Sequence, residues 1–117
     1  MEWFHRIRPG IAEGRIRELC TLENLPRLCD DVYEVTGPDE ISCVWGLFAI
    51  RASQVKYGVR YALTSCPNAL QWTVTTRDDV TTIHCTINMA DPDPDFASSI
   101  QTFLDKFHNG LVEAAGV

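Results

Sequence analysis

The side chains able to do chemistry in this 117-residue chain are three histidines, five cysteines and sixteen carboxylates. Their spacing limits what they can form. His84 is the titratable residue of most interest, because histidine titrates near neutral pH and serves as acid, base or ligand. Strand periodicity sets it between Thr73 and Thr86 on a polar face. No Asp or Glu lies on the two strands beside it, and Cys85 points the other way. A histidine with no nucleophile, orienting acid or second ligand reads as a hydrogen-bonded surface residue. His5 and His108 sit near the two ends, and nothing in the sequence places them together. Cys66 precedes Pro67 in a loop. Activating its thiol would take a helix N-terminus or a neighbouring cation, neither of which the sequence supplies, so it reads as structural. Cys20, Cys29, Cys43, Cys66 and Cys85 are odd in number and lack C-x-x-C spacing, which points to buried free thiols and not to a disulfide framework or a zinc knuckle. Asp91, Asp93 and Asp95 alternate like ligands for a hard metal. An EF-hand loop also needs a glycine at its sharp turn and a distant bidentate glutamate. Pro92 and Pro94 stiffen this segment instead, so it reads as a solvated linker running into a helix cap. Nucleotide-binding glycine loops, the G-x-S-x-G elbow and H-E-x-x-H are all absent. No metal or cofactor is expected, and an enzyme ranks third among the functional classes.

Composition narrows the classes further. Hydrophobic content of 45% with 22% charged residues is that of a globular protein, not a disordered or fibrous one. One domain spanning 1–117 is expected, burying on the order of two thirds of its unfolded surface. No apolar run approaches the ~18 residues of a spanning helix, and no signal-peptide core follows the first residues, so a cytoplasmic protein is expected. The net charge of −6 is uneven: residues 1–29 carry five basic and four acidic groups, and residues 30–117 carry five and twelve. With only two lysines and no run of basic residues, the chain is not expected to bind nucleic acid directly.

Positioning these groups falls to a hairpin at Leu70–Met89. Leu70, Trp72 and Val74 alternate with Gln71, Thr73 and Thr75, and Ile83, Cys85, Ile87 and Met89 alternate with Thr82, His84, Thr86 and Asn88. A two-residue turn at Asp78-Asp79 pairs Trp72 with Cys85 and Val74 with Ile83, keeping apolar opposite apolar. A three-residue turn would mix the faces. Ahead of the hairpin, Glu2–Arg8 reads as an edge strand closed by Pro9-Gly10. Ala12, Ile16, Leu19 and Cys20 place a helix over Ile11–Glu23, and Leu25–Asp31 adds a further turn. Val32–Thr36, a long strand at Ile41–Ile50 and Val59–Leu63 follow. In the long strand Cys43, Trp45 and Leu47 share one parity, and Gly46 leaves room for a bend. After the linker, Phe96, Ile100, Phe103, Leu104, Phe107 and Leu111 form the clearest amphipathic stripe of the chain. Asp95 is its expected N-cap and Asn109-Gly110 its expected stop.

The resulting fold class is α+β: an antiparallel sheet of five to six strands, with an N-terminal helix and a long C-terminal helix packed on one face. This order, the segment Leu22-Glu-Asn-Leu-Pro-Arg-Leu before the second strand and the long last helix resemble the helix-grip, START-like (polyketide-cyclase-like) ligand-binding superfamily. The resemblance implies a cavity between the curved sheet and the last helix holding an apolar small molecule, most often without catalysis. Trp45, Tyr61, Trp72, Phe103 and Phe107 would line it.

Two functions follow as expectations. The first is a small non-catalytic domain that binds an apolar small molecule between sheet and helix. The second is an acidic protein-interaction or inhibitor module that presents Asp78, Asp79, Thr73 and His84 to another protein. A phage-type inhibitor of a nucleic-acid-handling complex belongs to this class, since an acidic surface can occupy a basic groove. An open sheet face or edge strand would also permit a homodimer.

Overall fold

In a computed structural model covering residues 1–117, the Leu70–Met89 segment is the hairpin that its alternation predicts. Strands β6 (Gln71–Arg77) and β7 (Val80–Thr86) pair Arg77 with Val80, Val74 with Ile83 and Trp72 with Cys85. Asp78 and Asp79 both take left-handed φ, +52° and +62°, the type I′ combination whose twist suits a two-residue hairpin. Asp tolerates that region better than most residues. The turn is also held from outside, because the Gly10 amide donates to the Asp79 carbonyl at 2.8 Å and to its Oδ1 at 3.1 Å.

The other elements are β1 (Glu2–Ile7), α1 (Glu13–Leu19), α2 (Leu25–Leu28), β2 (Val32–Gly37), β3 (Glu40–Cys43), β4 (Gly46–Val55), β5 (Gly58–Leu63) and α3 (Pro94–Ala115). One antiparallel sheet runs β1-β7-β6-β5-β4-β3-β2, with β1 at an edge as expected. Seven strands stand where five to six were expected, because the apolar run Ile41–Ile50 is not one strand. It reverses at Val44-Trp45, pairing Cys43 with Gly46, and Gly46 takes the φ of +119° that this tight reversal needs. β4 then runs on to Val55, past Ile50 where the long strand was expected to end.

Helix boundaries depart from the periodicity for identifiable reasons. α1 stops at Leu19, earlier than Glu23, and the Asn24 side-chain amide takes up the Leu19 carbonyl at 2.9 Å. α3 begins two residues sooner than an Asp95 cap would allow. Asp93 is the cap, its Oδ1 accepting from the amides of Asp95 and Phe96, and Pro94 takes the first helical position. Proline fits there because that amide has no intrahelical partner in any case. Asn109-Gly110 does not end the helix, which continues to Ala115 with Gly116 as its left-handed C-cap. Gly110 serves packing instead: a Cβ there would overlap the Leu28 carbonyl oxygen of α2 and lie 2.6 Å from its carbon.

α3 lays Ile100, Phe103, Leu104, Phe107 and Leu111 on the sheet face formed by Val59, Tyr61, Trp72, Val74, Ile83 and Cys85, all nearly inaccessible to solvent. Each large side chain so buried contributes about 1.5–3 kcal/mol. Thr81 shares this buried face, where its Oγ1 accepts from the Ile11 amide at 2.8 Å and bonds the Thr76 hydroxyl at 3.1 Å. Thr81→Val keeps the shape and strands the buried amide, so it is expected to cost about 1–3 kcal/mol. Thr81→Ser should recover most of the loss in chemical unfolding.

Candidate ligand-binding interior

The five aromatic residues singled out from sequence meet between the sheet and α3. Tyr61 and Trp72 are register partners on β5 and β6, and their rings stack with centroids 5.0 Å apart. Phe107 stands edge-on to both, at 6.2 and 6.0 Å, and Phe103 edge-on to Trp72 at 5.1 Å. Trp45 tilts over Phe103 at 4.9 Å. These are the offset and edge-to-face arrangements that aromatic quadrupoles favour. The rings fill the space between them. The principal cavities, one of about 370 Å³ beside Pro9, His108 and Val112, lie elsewhere.

The polar atoms of this interior differ sharply. The Tyr61 hydroxyl donates to the Thr21 carbonyl at 2.9 Å, and burial holds it as neutral phenol by pushing its pKa far above the usual range. Trp45 leaves the strand parity expected of it. It sits in the β3–β4 turn, half-buried, where its Nε1 donates to Ser99 Oγ at 2.8 Å while Ser99 donates to the Phe96 carbonyl at 2.6 Å. Gly46 beside it was the sequence signal for that turn. Trp72 has no such partner: its Nε1–H is buried in a residue with 0% exposure and no acceptor reaches it.

The residues expected to form an interaction surface are divided by the structure. Thr73 and His84 face each other on the outer side of the sheet, whereas Asp78 and Asp79 occupy the hairpin tip, Asp79 committed to Gly10. His84 is not alone, as its own strands had suggested. β1 brings Glu2 Oε1 to 2.7 Å from His84 Nε2 and stacks Phe4 on the imidazole at 4.4 Å. On the inner side, β1 and α3 bring His5 and His108 together with centroids 5.0 Å apart, and Asp105 lies 2.9 Å from His5 Nε2. Lys106 of α3 reaches Asp31 at 2.7 Å, and that hydrogen bond raises the lysine pKa above its ordinary value.

All five cysteines are free. Burial pushes Cys20, Cys29 and Cys85 up to about 12 and raises Cys43 as well. A folded sample treated with a thiol reagent near pH 8 is therefore expected to show one fast equivalent, from half-buried Cys66, with the other four reacting only on unfolding. Cys66→Ser should abolish the fast phase.

The architecture is one seven-stranded antiparallel sheet packed against a long C-terminal helix, with two short helices between the first and second strands. No family model and no curated protein matches the sequence. Among solved structures the chain is similar to a START superfamily protein from Mycobacterium smegmatis, with a TM-score of 0.65 over 98% of this chain and 97% of that one. Identity is 10%, so the likeness is one of fold.

Proposed function

We propose that this chain is a small non-catalytic binding domain that holds an apolar small molecule between the sheet and α3, against Trp45, Tyr61, Trp72, Phe103 and Phe107. The observation that carries this reading is the orphaned Trp72 Nε1–H, buried among aromatic rings. A buried donor without an acceptor costs about 1–3 kcal/mol, and a ligand carrying one carbonyl or ether oxygen would recover it. The preferred ligand is thus an apolar body with a single hydrogen-bond acceptor. Since the rings are packed against one another, binding requires them to part. Trp45 is the place where they can do so, because it is half-buried, lies in a turn and is tied to α3 by its bond to Ser99.

Native mass spectrometry of protein purified without denaturation tests this reading. A discrete added mass, released by acid into organic solvent and reduced in Trp72→Phe, is the expected result. A bare protein, or an added mass that Trp72→Phe retains in full, would refute it.

A further inference from the structure

The outer side of the sheet carries no helix, and strand register collects there what the sequence scatters. Arg60, Thr73, His84 and Phe4 are successive register partners across β5, β6, β7 and β1. Arg51 pairs with Ala62, two residues from Arg60, so the two arginines are diagonal neighbours roughly 7–8 Å apart at Cα. Arg6 pairs with Thr82 on the same face, its guanidinium 5.4 Å from the centre of the Phe4 ring. Arg6, Arg51 and Arg60 are exposed, and none forms an ion pair. Two carboxylates lie beside them: Glu2, bonded to His84, and Glu40, which pairs with Ala49, is thus as near a diagonal neighbour of Arg51 as Arg60 is, and accepts from the Thr36 hydroxyl. Leaving aside the Arg77–Asp78 pair at the tip, three guanidiniums against these two carboxylates make the patch +1, histidines counted as uncharged. The chain carries −6, which leaves −7 on the rest of the molecule.

We propose that this outer face docks an extended acidic segment of a partner protein, independently of any ligand in the interior. Alternate carboxylates of an extended chain project to one side about 6.8 Å apart, which matches the spacing between successive side-chain rows of the sheet. Arg51 and Arg60 occupy adjacent rows. Thr73 and its neighbouring threonines supply hydroxyls between them and Arg6. A long polyanion is disfavoured by the same charge distribution. Phosphates running past the arginines would meet the acidic remainder of the molecule at distances where salt does not screen them, within about 8–10 Å. A short acidic segment ends before reaching it.

The test is a titration of isotope-labelled full chain, followed by amide shifts, with a hexapeptide of alternating Glu and Thr, about 20 Å long when extended, and, separately, a twelve-nucleotide oligothymidylate. The expected result is peptide-induced shifts confined to β1 and β4–β7, with affinity falling about 10-fold or more between 20 and 200 mM salt, as for steered electrostatic binding. Arg51→Glu combined with Arg60→Glu should abolish those shifts while leaving the rest of the spectrum and the melting temperature in place, since both side chains are exposed. Four outcomes would overturn the proposal: no shifts, shifts on another surface, unchanged binding by the double variant, or binding of the oligonucleotide in preference to the peptide.

Discussion

Phe107→Ala is expected to lower the unfolding free energy by about 3–5 kcal/mol, the range for truncating a fully buried phenylalanine. Phe107 has 0% exposure and meets both Tyr61 and Trp72 edge-on. Neither neighbour can swing in to fill the space, because Tyr61 is tied to Thr21 and Trp72 is wedged against Phe103. The cost should appear as a lower urea midpoint at an unchanged slope, the signature of lost stability without a change in the surface exposed on unfolding. The same variant bears on function. It vacates an apolar volume beside the Trp72 ring, whose Nε1–H has no acceptor, so a small aromatic ketone should raise the midpoint of Phe107→Ala more than that of the wild type. An equal shift in both proteins would show that the probe is not entering the vacated space.

The second large effect comes from adding one methyl group. Gly110→Ala would drive a Cβ into the Leu28 carbonyl, and backbone on both helices leaves no flexible side chain to yield. α3 must lift from α2. A loss of about 3 kcal/mol, or a melting temperature lower by roughly 10 °C, is expected from overpacking at a rigid contact. Gly14→Ala is the control. A Cβ at Gly14 meets nothing within 4 Å, and alanine favours the helix by up to about 1 kcal/mol, so the same substitution should there raise the melting temperature. If both variants moved in the same direction, helix propensity rather than close approach would govern Gly110.

The interior and the outer face are the two sides of the same strands. On β5, β6 and β7 the alternation that turns Tyr61, Trp72 and Cys85 inward turns Arg60, Thr73 and His84 outward. A substitution at Arg60 should therefore leave the aromatic interior intact, and one at Trp72 should leave the basic face intact. The two proposed activities can be separated experimentally for that reason.

Much of this was legible in the chain itself. The period-two runs on either side of Asp78-Asp79 contained their own register, since only an even loop keeps Trp72 opposite Cys85 and Val74 opposite Ile83. The 3.6-residue stripe from Phe96 to Leu111 identified α3 and the face it buries. Periodicity is a local property, and it settled which side of β6, β7 and α3 faces the core. Other features were decided only by the tertiary structure. Gly110 reads as a helix stop until α2 is seen crossing it. Trp45 reads as a strand residue until the chain reverses at Gly46. His84 lacks a carboxylate until β1 pairs with β7. Arg6, Arg51 and Arg60 share no pattern in the sequence, and they reach one face only when the first strand joins the last at the far side of the sheet. Each depends on contacts between residues far apart in sequence. Such pairings are selected by the burial of the whole apolar face at once, and no short window of residues contains that information.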